Sequence, residues 1–131
     1  MVCLDTSFVI DVIKENKEAI SKKESIEKRN EAVTIAAPTI IELMRGLKSA
    51  GIRDEQEEKI GEFINSITTL SLDKNSAVET GNIELSLVRE GLKVEIVDVM
   101  IAGICRANKE RLLTRNAKHF YRMKGLEVEE Y

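Results

Sequence analysis

Short apolar runs alternate along the chain with longer segments whose apolar residues recur every three or four positions. Runs of strand length lie at 1–5, 32–37, 68–72 and 110–114, and a final apolar segment covers 125–130. Helical spacing fills the intervals between them. Strands joined by crossover helices form a parallel sheet with helices on both faces. The pattern predicts one α/β domain over residues 1–131, in three layers with a central parallel sheet.

The spacing of apolar residues also predicts where each helix lies. The first helix begins at about Thr6, the second major helix runs from about Thr39 towards Gly51, and a third covers about 54–66. Asp73 is the expected N-cap of a long helix, and the last long helix begins at about Asp98. The apolar face of the long helix is predicted to comprise Ala77, Val78, Gly81, Leu85 and Val88. The charged segment 14–31 indicates a surface helix or helical loop.

Composition excludes several classes of protein. The chain has 131 residues, of which 43% are hydrophobic and 33% charged, so it is neither disordered nor fibrous. No apolar stretch reaches the roughly 18 residues of a membrane span, and the amino-terminal segment lacks the basic start of a signal peptide. Cys3 and Cys105 are too few for a disulfide framework or a cysteine zinc site, which favours buried reduced thiols. These features predict a cytoplasmic protein.

Four oxygen-bearing side chains fall close to the predicted strand ends. Asp5 ends the first strand, Glu42 lies one helical turn beyond the second, Asp98 begins a late helix, and Asn116 follows the strand at 110–114. In an open parallel sheet, functional groups collect outside the carboxyl ends of the strands. We therefore expect these four residues at the same edge of the sheet.

Each acid also has a structural interpretation that the sequence leaves open. Asp5 is a suitable cap for the first helix. Thr39 to Glu42 matches a capping box, in which the glutamate only bonds backbone amides. Asp98 is harder to explain structurally, because it is flanked by Ile96, Val97 and Val99 and no glutamate or glutamine follows at the capping-box spacing. An unpaired buried carboxylate is costly.

Carboxylates brought together repel each other, and a divalent cation relieves that repulsion. Oxygen ligands favour Mg²⁺ or Mn²⁺, and no cysteine or histidine is expected near these positions to favour zinc. The chemistry of such a site is metal-assisted phosphodiester hydrolysis. Asp5, Glu42 and Asp98 are the predicted metal ligands. The single histidine, His119, is expected at the surface or beside the ligands rather than as a ligand.

The charge pattern bears on whether the substrate is a nucleic acid. A net charge of −3 argues against it, but residues 106–124 contain seven Lys/Arg and one acid. Such a run forms either a phosphate-binding face or an ordinary solvated surface. Arg45, Arg115 and Lys118 are the candidate phosphate contacts. Because aromatic residues are few, single-stranded or looped RNA is the expected substrate.

Four segments, in this order and spacing, resemble the PIN-domain nucleases and especially the VapC-type toxins of prokaryotic toxin–antitoxin pairs. The segments are LDTSFVIDV, PTIIELMRGL, GLKVEIVDVMIAGICRAN and LLTRNAKHF. The resemblance implies that Asp5, Glu42 and Asp98 match the metal-coordinating acids. It aligns Thr114 with a hydroxyl residue at the end of the fourth strand, and Thr6 or Ser7 with a small polar residue after the first acid, so these three residues are expected to contact the substrate. Many members carry a fourth acid where this chain has Asn116, which puts a second metal in doubt, and an aspartate where it has His119.

The resemblance further implies a homodimer and a small VapB-like antitoxin that occludes the active-site groove. Two other functions stay open at this point. One is a PIN nuclease in RNA processing or decay without an antitoxin. The other is a non-catalytic module that keeps the fold and binds RNA or protein.

Overall fold

The computed structural model describes residues 1–47 and 51–131 and contains one five-stranded parallel sheet. The strands are β1 (Val2–Leu4), β2 (Val33–Ala36), β3 (Thr68–Leu70), β4 (Arg111–Thr114) and β5 (Val128–Glu130). Their order across the sheet is β3-β2-β1-β4-β5, and every neighbouring pair is parallel. β1 is therefore central, with β2 on one side and β4 on the other. This arrangement brings the ends of β1, β2 and β4 to one edge.

The helices cover both faces of the sheet, as the sequence predicts. They are α1 (Thr6–Ile13), α2 (Lys17–Lys28), α3 (Ala37–Gly46), α4 (Asp54–Ser66), α5 (Lys74–Arg89), α6 (Ile96–Ala107) and α7 (Ala117–Phe120). The charged segment 14–31 contains α2, whose buried residues are only Ala19 and Ile26. No helix among the described residues is both long enough and apolar enough to cross a membrane.

Alternating strand residues build two separate hydrophobic cores. Val2 and Leu4 face one core, which is completed mainly by residues of α1 to α4. Cys3 faces the other core, which is completed by residues of α5, α6 and α7. Cys3 and Cys105 are both free and buried, as predicted. Successive strand residues point to opposite faces, and both faces of β1 are covered, so all three of its residues are apolar.

The predicted apolar face of α5 is wrong. Ala77, Val78, Gly81, Leu85 and Val88 are all exposed, whereas Ser76, Thr80, Ile83 and Leu87 are buried. The reason is a close approach between α5 and α6, where a Cβ added to Gly103 would lie 2.0 Å from Thr80 Oγ1. Small polar residues make this approach possible, and the Thr80 hydroxyl is satisfied by the Ser76 carbonyl at 2.7 Å.

Two helices begin earlier than predicted. α3 begins at Ala37, with Pro38 in its first turn, where a missing amide hydrogen costs nothing. It ends at Gly46, and residues 48–50 of the predicted helix lie outside the described residues. α6 begins at Ile96, so Asp98 lies within its first turn.

A cluster of ion pairs joins β4, β5, α2 and the segment before β2. Glu129 accepts from Arg111 Nε at 2.8 Å, from Arg29 at 3.1 Å and from Lys22 at 3.3 Å. Arg111 also pairs with Glu31. Arg111 and Glu31 lie at the amino ends of β4 and β2, so this cluster stabilises the sheet edge opposite the predicted acids.

Candidate active site

Asp5 lies directly after β1 and is 5% exposed. It occupies the N-cap position of α1, but its side chain does not cap the helix. Instead Oδ2 accepts hydrogen bonds from Thr114 Oγ1 at 2.7 Å and from Ser7 Oγ at 3.0 Å. The helix-cap interpretation of Asp5 is therefore wrong, and its carboxylate is held at the strand ends.

Contrary to the prediction from the sequence, Thr114 is not placed to contact the substrate. It ends β4, is fully buried, donates to Asp5 and accepts from the Asn116 backbone amide at 3.0 Å. Ser7 likewise donates to Asp5. Because their hydroxyls are used in this way, Thr114 and Ser7 orient Asp5, and Thr114 has no surface on which RNA could rest.

Glu42 lies in α3, where its Oε1 accepts from Thr6 Oγ1 at 2.7 Å. The capping-box interpretation fails because α3 begins before Thr39. Thr39 is fully buried within the helix, and its hydroxyl has no hydrogen-bond partner among the described residues. Thr6, also predicted as a substrate contact, therefore orients Glu42 and links α1 to α3.

Asp98 lies in the first turn of α6, where the positive end of the helix dipole favours a carboxylate. Its side chain is 22% exposed, and Oδ2 lies 2.9 Å from His119 Nε2. The cost of an unpaired buried acid therefore does not arise. His119 lies beside a predicted ligand.

The electrostatics of the site show that the three acids lie near one another. Burial raises the pKa of Asp5, the hydrogen bonds from Thr114 and Ser7 oppose that shift, and the charge of Asp98 adds to it. Burial also raises the pKa of Glu42, and the charges of Asp5, Asp98 and Glu95 raise it further. Three acids remote in sequence thus act on one another, as the strand-end argument predicts.

An open cleft of about 800 Å³ lies beside Asp98, and Asp5 and Glu42 are not among its lining residues. Its lining residues are Glu95, Asp98, Arg115, Asn116, Ala117, Lys118, His119 and Glu130. Asn116, Arg115 and Lys118 are therefore brought to Asp98, as predicted. Arg115 is held there by an ion pair of 2.7 Å with Asp11, which also accepts from the Tyr131 hydroxyl at 2.7 Å.

Most of the basic run does not form a free basic face. Arg106 pairs with Glu79, Arg111 with Glu31 and Glu129, Lys124 with Glu90, and Arg122 contacts His119. Arg45 is exposed near the end of α3, and among the described residues no hydrogen bond or ion pair links it to the three acids. Arg115 and Lys118 are the predicted phosphate contacts that line the cleft.

Glu95 and Glu130 line the cleft but were not predicted. Glu95 is the N-cap residue of α6, and its charge raises the pKa of Glu42. Placing the helix start at Asp98 hid this residue. With the helix start at Ile96, Glu95 and Asp98 are one helical turn apart at the helix N-terminus, and this spacing would have indicated that both acids lie near the site.

The donor set suits a hard divalent cation. Among the described residues, side-chain hydrogen bonds engage only one carboxylate oxygen of each acid. The other oxygen has no side-chain donor: Oδ1 of Asp5, Oε2 of Glu42 and Oδ1 of Asp98. Oxygen ligands with a net negative charge favour Mg²⁺ or Mn²⁺. Among residues 1–47 and 51–131, no group of three or more His, Cys, Asp or Glu side chains is placed so that it could hold a metal ion as the side chains stand. The residues therefore fit the cation in chemistry, while shared coordination by all three stays a prediction.

Comparison with protein families identifies the class. The model of the PIN domain matches residues 2–126. The chain therefore belongs to the PIN-domain family.

Individual relatives extend this result. The chain is 33% identical over 128 residues to a tRNA(fMet)-specific endonuclease VapC of Shigella flexneri, covering 98% of this chain and 96% of that protein. It is 29% identical to the protein of the same name from Salmonella typhimurium, with the same coverage.

Solved structures give the same fold. DNA-bound VapBC from Salmonella typhimurium superposes with a TM-score of 0.85 at 29% identity, covering 98% of this chain and 96% of that one. VapBC2 from Rickettsia felis, bound to a promoter DNA fragment, gives a TM-score of 0.86 at 22% identity, covering 100% and 99%. The predicted family, the three-layer parallel fold and an endoribonuclease of the VapC toxin type are confirmed by these comparisons.

Proposed function

We propose that this endoribonuclease depends on Mg²⁺ or Mn²⁺ bound by Asp5, Glu42 and Asp98. The observation that carries the proposal is the placement of the acids: Asp5 is bonded to Thr114 at the end of β4, Glu42 is bonded to Thr6 next to Asp5, and Asp98 lies in the first turn of α6. The charge of Asp98 raises the pKa of both Asp5 and Glu42, which agrees with this placement. Such repulsion is relieved by a divalent cation.

The chain's own residues prepare this site in a consistent way. Thr114 and Ser7 hold Asp5 through its Oδ2, and Thr6 holds Glu42 through its Oε1. Each bond orients a carboxylate and opposes the rise in its pKa that burial causes. A divalent cation held by these acids would activate a water molecule and neutralise charge on the phosphate. Lys118 and Arg115 lie on the cleft wall, where they attract the phosphate backbone.

Asn116 limits the number of cations in this proposal. It lines the cleft beside Asp98, at the position where many PIN domains carry a fourth acid. An amide oxygen is a neutral ligand and binds Mg²⁺ more weakly than a carboxylate does. We therefore infer one firmly bound cation, with any second cation entering only together with the phosphate.

The proposed substrate class is transfer RNA, with tRNA(fMet) as the first candidate. Two relatives of nearly full length are named tRNA(fMet)-specific endonucleases. The open cleft beside Asp98 and its flanking cations suit a looped RNA segment, which presents an accessible backbone.

The proposed partners are a VapB-like antitoxin and a second copy of the chain. The solved relatives are VapBC complexes, which supports the first proposal. An apolar groove of about 240 Å³, lined in part by Phe8, Val12 and Phe63, offers a surface for an amphipathic segment of the antitoxin. Val78, Leu85 and Val88 are exposed on α5, which supports a homodimer through that helix.

The test is cleavage of a tRNA panel by the purified chain in Mg²⁺ or Mn²⁺, with a chelator control and mapping of the cut ends. We expect cleavage that EDTA abolishes and that added Mn²⁺ restores. D98N should lose cleavage by at least about 100-fold while its thermal melt stays close to wild type. E58Q removes one exposed acid of α4 away from the site and serves as the charge-matched control.

Three results would contradict the proposal in different ways. Cleavage that persists in EDTA would remove the metal from the reaction. If D5N and D98N both fail to fold while E58Q folds, the two aspartates have a structural role instead. Equal cleavage of all tRNAs would refute tRNA(fMet) as the preferred substrate, and cleavage of other RNAs alone would refute the transfer-RNA class. Either result would leave the nuclease assignment intact.

A further inference from the structure

His119 is the only histidine of the chain, and it contacts an acid of the proposed metal site. It lies in α7, directly after β4, while Asp98 lies in the first turn of α6. The distance from Nε2 to Asp98 Oδ2 is 2.9 Å. A hydrogen bond therefore links two helices whose residues both line the cleft.

Arg122 determines which nitrogen of His119 carries the hydrogen. Its Nη2 lies 2.6 Å from His119 Nδ1, and its Nε donates to the His119 carbonyl at 3.2 Å. A guanidinium has donors and no acceptor, so Nδ1 must accept. In the neutral ring the hydrogen then resides on Nε2 and is donated to Asp98.

The imidazole is also fixed by its own backbone and by its neighbour. The His119 amide donates to the Asn116 carbonyl at 3.0 Å. The ring packs edge-on against Phe120, with centroids 5.1 Å apart, and Phe120 is 1% exposed in the core. With the ring held in this way, Asp98 Oδ2 is occupied by a donor of fixed direction.

We propose that His119, oriented by Arg122, is a positioning residue that holds Asp98 so that Oδ1 faces the cation. The inference rests on the proposed function, because it concerns one of the three ligands. Hydrogen-bond partners of metal-binding carboxylates restrict their rotation, and losing such a partner typically weakens metal binding about 10–100-fold. The loss of one donor should therefore lower metal affinity and leave the fold unchanged.

The experiment measures Mn²⁺ affinity of the intact chain without RNA, by calorimetry and by electron paramagnetic resonance of free Mn²⁺. H119L removes the donor and should weaken binding about tenfold or more. H119Q keeps an N–H donor near the position of Nε2 and should stay within about threefold of wild type. R122L releases Nδ1 and should also weaken binding. R106L is its control, because Arg106 lies at the far end of α6 from Asp98 and pairs with Glu79 of α5.

Every outcome bears on the inference. Rescue by glutamine but not by leucine supports it, whereas equal affinity of H119L and wild type overturns it and leaves the proposed metal site standing. If glutamine loses as much as leucine, the imidazole itself matters, and positioning by hydrogen bond is refuted. If H119L does not fold, the Mn²⁺ affinities of R122L and R106L are compared instead. Weaker binding by R122L alone supports the inference, and equal affinities overturn it. A wild-type chain that binds no Mn²⁺ would overturn the proposed function and this inference together.

Discussion

Replacing Glu129 by glutamine should destabilise the chain in a way that depends on pH. Burial raises the pKa of Glu129, but hydrogen bonds from Arg111, Arg29 and Lys22 outweigh it and lower the pKa from 4.5 to about 2. The lowering corresponds to about 3 kcal/mol in favour of the folded, ionised form. Because the side chain is 17% exposed and its partners are partly solvated, we expect E129Q to cost about 1–2 kcal/mol.

A group whose pKa is depressed by folding stabilises the protein above its unfolded pKa, and that contribution is lost as pH falls through the folded value. The difference between wild type and E129Q should therefore be constant above about pH 5 and shrink from pH 4.5 towards pH 2. At neutral pH it should appear as a fall in Tm of roughly 4–8 °C. Calorimetric melts at a series of pH values measure it.

The control is E27Q, which removes an exposed pair with Lys23 at 3.4 Å on α2. Such pairs contribute at most about 0.5 kcal/mol, with little dependence on this pH range. Equal effects of E129Q and E27Q at pH 7 would refute the reasoning. A difference that persisted unchanged at pH 2.5 would refute it as well, since Glu129 would then not be the titrating group.

Other predictions concern packing and the cleft. G103A should lower the free energy of unfolding, measured by calorimetry, by about 3 kcal/mol or more, because its Cβ would lie 2.0 Å from Thr80 Oγ1. G81A, on the exposed side of α5, meets nothing within 4 Å and should be neutral or stabilising. Similar melting curves for the two variants would contradict the close approach of α5 and α6. N116D should strengthen Mn²⁺ binding about tenfold in the calorimetric assay, and unchanged affinity would show that Asn116 is not a ligand. R115A should weaken RNA binding and reduce the salt slope by about 0.7, measured by fluorescence anisotropy, and an unaltered slope would remove Arg115 from the substrate path.

Much of the fold follows from the hydrophobic pattern. The order of strands and helices, the parallel sheet and the placement of Asp5, Glu42 and Asp98 near one edge are all predictable from it, because crossover topology fixes where strand ends meet. α4, predicted at about 54–66, spans Asp54–Ser66. The fold was therefore accessible from apolar spacing alone.

The failures share one physical cause, which is that the sequence does not show which polar groups find partners. Thr80 and Ser76 are buried where apolar residues were expected, because their hydroxyls bond within the helix and its N-terminal cap and their small size allows α6 to approach. Thr114 bonds an acid 109 positions away. The basic run is largely neutralised by acids from distant segments, such as Glu79 and Glu129. Such long-range pairing leaves no local pattern.

The bond from Thr114 to Asp5 joins neighbouring strands at the centre of the sheet, alongside the amide of Asp5 bonded to the Leu113 carbonyl at 2.9 Å. Asp5 therefore cannot be displaced unless β1 separates from β4. Glu42 and Asp98 are carried instead by α3 and α6, which pack outside the sheet. The site thus has one acid tied to two strands and two acids carried by helices, so the distances among the three depend on how α3 and α6 pack against the sheet.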